Sequence, residues 1–75
     1  MKDKKMFEIR EYGRSELALM YSPDIEKISA WRKLKTWIDR SPGLWEKLEK
    51  NGYTTSQRIF TPVQVEIIVG AIGEP

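Results

Sequence analysis

Between Lys27 and Arg40 the chain places Lys27, Arg32, Lys33, Lys35 and Arg40 against a single acid, Asp39. Guanidinium and ammonium groups at this density are phosphate-binding chemistry, and hydroxyls among them can approach base edges in a major groove. At about 100° per residue, Ala30, Trp31, Leu34, Trp37 and Ile38 fall within one arc of a helix, with Ser29, Arg32, Lys33, Thr36 and Arg40 opposite. Lys27, Ser29, Arg32, Lys33, Thr36 and Arg40 are therefore the candidate nucleic-acid contacts, with duplex DNA as the expected partner. A basic helix face is also a common solvated surface, and cations in its C-terminal half suit the helix dipole without any ligand. A balance of 13 Lys and Arg against 11 Asp and Glu, net +2, does not choose between these readings.

Other reactive chemistry is sparse. His and Cys are both absent, which removes the commonest general acid-base, the commonest neutral metal ligand and the thiolate nucleophile. Asp24 with Glu26 and Glu46 with Glu49 read as solvated surface acids, and Ser15 has no His or Lys partner in a triad-like order. Gly43, Gly52, Gly70 and Gly73 are isolated, as turns and helix ends require, and form no phosphate-cradling loop. A non-enzymatic binding module is expected, with no cofactor, metal or small-molecule substrate. Trp31 and Trp37 lie on the apolar arc and read as core; Trp45 is open to either core packing or stacking.

The elements that position these residues follow from local signals. Met6 to Tyr12 alternates Phe7 and Ile9 with Glu8 and Arg10, as a half-buried strand does. Gly13 with Glu16 three residues on marks a helix start, and a first helix over Arg14 to about Met20 would bury Leu17, Ala18 and Tyr21. Ser22-Pro23-Asp24 breaks it, and the basic helix runs from about Glu26 to Arg40. Ser41-Pro42 is an N-cap and N1 pair for a third helix with Leu44, Trp45 and Leu48 inward, closed at Asn51-Gly52. Arg58-Ile59-Phe60 is a short strand that could pair with Phe7 to Arg10.

The segment from Pro62 to Ile72 alternates Val63, Val65, Ile67 and Val69 like a strand. Its capping signals are helical: Thr61, Pro62 and Gln64 form a capping box with Pro at the first helical position, and Gly73 supplies the stop. As a helix it turns Val65, Ile68, Val69 and Ile72 to one side and leaves Val63, Ile67 and Ala71 as a second apolar strip. That strip is either covered within the domain or an interface for a second copy or a protein partner.

The blocks from Tyr12-Gly13-Arg14-Ser15-Glu16-Leu17-Ala18 through Ala30-Trp31-Arg32-Lys33-Leu34-Lys35 and Trp37-Ile38 to Phe60-Thr61-Pro62, Gln64-Val65, Ile68-Val69 and Gly73-Glu74-Pro75 span nearly the whole chain. In them the sequence resembles a family of short, uncharacterised bacterial proteins, grouped as a domain of unknown function and common in gut anaerobes. The resemblance implies a fold neighbourhood and supplies no catalytic or binding residues. Gly70 departs from that pattern, at a cost to the last helix of about 1 kcal/mol relative to Ala. More loosely, Ser15-Glu16-Leu17-Ala18 followed by a basic helix ending Trp37-Ile38 is similar to the opening of excisionase-like and mercury-regulator-like helix-turn-helix domains. In those domains the second helix enters DNA, and Arg58-Ile59-Phe60 would stand where they carry a small wing. The connection Tyr21 to Glu26, with Pro23, is longer than their turn.

The expected architecture is mainly α with a minor two-stranded β-ribbon, helix-turn-helix-like, in the order β-α-α-α-β-α. At 75 residues one domain is expected over 1–75, with residues 1–5 disordered. No stretch approaches the roughly 20 apolar residues of a membrane helix, and the N-terminal charges precede no apolar leader. Together with the absence of Cys, this gives an expected cytoplasmic location without membrane contact.

Overall fold

A computed structural model describes residues 7–75, so the expectations of disorder over 1–5 and of a strand starting at Met6 lie outside the described residues. The elements are β1 (Tyr12–Gly13), α1 (Arg14–Tyr21), α2 (Lys27–Arg40), α3 (Leu44–Lys50), β2 (Ile59–Phe60) and α4 (Pro62–Ile72). This is the expected order. One core joins them: Leu17 and Ala18 of α1, Ala30, Leu34 and Ile38 of α2, Leu44 and Leu48 of α3, and Val65 and Ile68 of α4 are buried with Tyr12, Tyr53 and Phe60.

Capping accounts for the helix ends. Glu16 accepts a hydrogen bond from the Gly13 amide at 3.1 Å, and the Arg14 amide donates to the Arg58 carbonyl at 2.9 Å, so two otherwise unpaired donors at the start of α1 are satisfied. At α4 the Thr61 hydroxyl accepts from the Gln64 amide at 3.2 Å while Gln64 Oε1 accepts from the Thr61 amide at 3.1 Å. α3 ends in a Schellman turn. The Gly52 amide donates to the Glu49 carbonyl and the Tyr53 amide to the Leu48 carbonyl, with Gly52 at φ 92°.

Two expectations are corrected. The strand expected from Met6 to Tyr12, paired through Phe7 to Arg10, is replaced by a two-residue β1 whose Tyr12 and Gly13 pair antiparallel with Phe60 and Ile59. The partner limits it: Gln57 folds back on Thr54 before β2, and Thr61 starts the cap of α4 after it, leaving no ladder for residues 7–10. Phe7 instead stacks on Tyr12, with ring centroids 5.4 Å apart, the Tyr12 hydroxyl donates to the Glu8 carbonyl at 2.9 Å, and Ile9 is exposed. The second correction is at α3. Ser41 closes α2, donating its hydroxyl to the Trp37 carbonyl at 3.1 Å, rather than capping α3. The Leu44 amide donates to the Ser41 carbonyl, and Gly43 at φ 74° and ψ 4° holds the third position of a type II turn with Pro42 before it. α3 therefore starts at Leu44, capped by Gly43.

Gln64 is 1% exposed, the least exposed polar side chain among the described residues. Its Nε2 donates to the Asn51 carbonyl at 3.0 Å, and its Oε1 also accepts from Gln57, so one amide ties the end of α3, the following loop and the start of α4. Replacing it by an apolar residue leaves buried polar groups without partners. Gln64→Leu is expected to lower stability by about 2 kcal/mol, read as a lower urea midpoint at unchanged slope.

Candidate functional site

α2 is held by its inner face, where Ala30, Leu34 and Ile38 recur one turn apart and are fully buried. That burial turns the opposite side outward. Ser29, Arg32, Lys33, Thr36 and Arg40 are all exposed, as the helical spacing requires. Lys27 is exposed too, but it lies seven residues before Leu34, within about 20° of the buried row, and escapes burial only by standing at the helix end. It does not join the others on the outer face. The Thr36 hydroxyl donates to the Arg32 carbonyl at 2.9 Å, so it meets a ligand as an acceptor.

Among the described residues, no ion pair neutralises the cations of this face. Among the described residues, ion pairs join Arg10 to Glu8 and to Glu16, each at 3.6 Å, and none includes Lys27, Arg32, Lys33, Lys35 or Arg40. Asp39, the acid of α2, accepts a hydrogen bond from the Trp45 indole.

The tryptophans lie along the two flanks. Trp31 packs near Phe60, with ring centroids 6.1 Å apart, and carries the Arg14 guanidinium at 5.1 Å from its ring centre. Trp37 meets Tyr21 edge-on at 5.8 Å, and the Lys33 ammonium lies 5.6 Å from its ring centre. Trp45 packs on Tyr53 at 5.3 Å. All three are half-buried supports of the basic helix. Arg14 carries no signal of this contact in the sequence, because its ring partner, Trp31, lies on another helix. It shares a cleft of about 380 Å³ with Trp31, Lys35, Asp39, Trp45 and Tyr53. Burial raises the Tyr53 pKa, and the Arg14 charge opposes that rise.

The strip on α4 is divided. Val63 is 51% exposed and Ala71 is exposed, whereas Ile67 is half-buried against the core. Gly70 lies between them with open space where a side chain would stand. The carboxylates Asp24, Glu26, Glu46 and Glu49 are exposed, and among the described residues no group of three or more His, Cys, Asp or Glu is placed to hold a metal ion.

The elements and core define a small, mainly helical domain with a two-stranded antiparallel ribbon. No helix among the described residues is long and apolar enough to cross a membrane. The chain belongs to the family described as a domain of unknown function, DUF4248, whose model matches residues 8–75. Neither the curated proteins nor the solved structures contain a match to it.

On the Trp37 flank, the Tyr21 hydroxyl donates to the Gly73 carbonyl and clasps the end of α4 to α1. Its pKa is pushed up to about 12, first by burial and then by the Glu74 charge. A raised phenol pKa stabilises the fold below the ordinary value of 10.0 and stops doing so as pH rises through about 12. Stability measured by urea titration is expected to fall across this window, and to fall less steeply in Tyr21→Phe.

Proposed function

We propose that this protein is a non-enzymatic binding module that contacts duplex DNA with the outer face of α2. The observation that carries the reading is the uncovered face itself: Arg32, Lys33, Thr36 and Arg40 are exposed together, and their cations have no ion-pair partner among the described residues. Among the described residues, none covers them. α2, at 14 residues, is about 21 Å long, and a bare helix of that length fits a major groove. Arg32, Lys33 and Arg40 would meet phosphates, while Ser29 and Thr36 would approach base edges. The packing of α1 beside α2, joined through Ser22 to Glu26, supports a helix-turn-helix-like arrangement in which α1 braces the inserted helix.

Binding of the full chain to mixed-sequence duplexes, followed by fluorescence anisotropy, is expected to weaken steeply with salt. Arg32→Ala combined with Lys33→Ala should reduce the slope of log affinity against log salt by about 2, with the fold intact by circular dichroism. No binding at low salt would remove the reading.

A second reading is favoured by the exposure of Val63 and Ala71 and by the open space at Gly70: a second copy of this chain packs on the outer side of α4. The partly buried Ile67 is a poor probe, because a charge there would also disturb the core. Ala71→Glu is expected to turn a dimer into a monomer in sedimentation equilibrium without lowering stability. A wild-type monomer at the highest soluble concentration would exclude it.

A further inference from the structure

We propose that the cleft between α2 and α3 binds a guanine nucleotide, with the base against the indoles of Trp31 and Trp45 and the phosphate at Arg14 and Lys35. This site is independent of the DNA reading, since it opens on a flank of α2 and uses none of Arg32, Lys33, Thr36 or Arg40.

The side chains here border a space instead of filling it. Two half-buried indoles from different helices line about 380 Å³, a volume within the range of small-molecule sites. Four charges surround them, Arg14 and Lys35 against Asp39 and Glu49, and among the described residues none of the four is in an ion pair. Lys35 and Asp39 stand one helical turn apart, the spacing at which such a pair forms, but the Asp39 carboxylate accepts from the Trp45 indole instead.

The order of these groups selects the ligand. Trp31 and Asp39 are eight residues apart on α2, about 12 Å along its axis. Arg14 marks the Trp31 end, with its guanidinium 5.1 Å from the ring centre, and Asp39 with Trp45 marks the other. The cation's place on Trp31 is thus filled by the chain itself, so that end calls for an anion. Two cations and two acids balance, so the ligand must also bring donors for the carboxylates. Between the ends the walls are aromatic, with Tyr53 packed on Trp45, and suit a flat ring. A guanine nucleotide meets all three requirements. Guanine sets a ring N–H beside its exocyclic amine, two parallel donors that match one carboxylate, whereas adenine and cytosine place an acceptor beside the amine and repel it. Glu49, exposed on the α3 side, is the carboxylate for that edge, because Asp39 already holds the Trp45 indole.

The full chain is titrated with guanosine monophosphate, followed by calorimetry and by quenching of tryptophan fluorescence. Affinity is expected to be about tenfold higher than for adenosine monophosphate, and about tenfold higher than for guanosine without its phosphate. Glu49→Ala should abolish the preference for guanine, and Arg14→Gln the advantage of the phosphate. Both variants keep the backbone hydrogen bonds of those positions, so circular dichroism should be unchanged. Arg32→Ala combined with Lys33→Ala should leave nucleotide affinity at the wild-type value; a loss there puts the nucleotide on the outer face of α2 and overturns the assignment. Equal binding of the two nucleotides, or either preference retained in its variant, also overturns it. If only guanosine within a short single strand binds, with the same dependence on Glu49 and Arg14, the assignment stands and the source is a strand. Binding of neither probe overturns it, whatever duplex DNA does.

Discussion

Ala30, Leu34 and Ile38 stand one turn apart on α2, and their complete burial is the constraint around which the molecule is arranged. A straight helix carrying such a row has one orientation in which all three leave water. Leu17 and Ala18 of α1, Leu44 and Leu48 of α3, and Val65 and Ile68 of α4 are buried with this row in one cluster. The same rotation that buries the row decides which residues point away. The basic side of α2 is therefore exposed as a consequence of core packing, and the charges need no separate device to hold them outward.

So small a core leaves the connections to be held by polar contacts. Gln64 is the clearest case, since an amide that is both donor and acceptor can satisfy the end of one helix and the start of another. The ribbon follows a similar economy. Two residues on each strand suffice because Tyr12 and Phe60 are buried in the core, and because the Arg58 carbonyl completes the first turn of α1. A ribbon of this length would not persist without helices beneath it.

The aromatic residues link the core to the charged surface. Trp31 and Trp37 lie on opposite flanks of α2, each with one part against the core and a cation near its ring. Indole rings in this position support the helix and hold Arg14 and Lys33 against its two flanks. The apolar strip of α4 differs in kind. Its middle residue, Ile67, is shared with the core, and its ends, Val63 and Ala71, are left in water.

The element order, the amphipathic α2, the capped α4 and the glycine stop after α3 were all legible in the sequence, because each depends on residues within one or two turns of each other. Thr61 with Gln64 and Asn51 with Gly52 are local signals, and local hydrogen bonds satisfied them. The basic outer face was legible for the same reason, since periodicity alone separates it from Ala30, Leu34 and Ile38. The tertiary structure decided what depends on a distant partner. The alternating residues 7–11 lacked a strand long enough to pair with, and Ser41 could serve either neighbouring helix until Gly43 took the left-handed turn. Contact across the fold also brought Arg14 to Trp31 and divided the strip of α4, because neither a cation–ring approach nor the burial of one side chain among three is encoded by spacing along the chain.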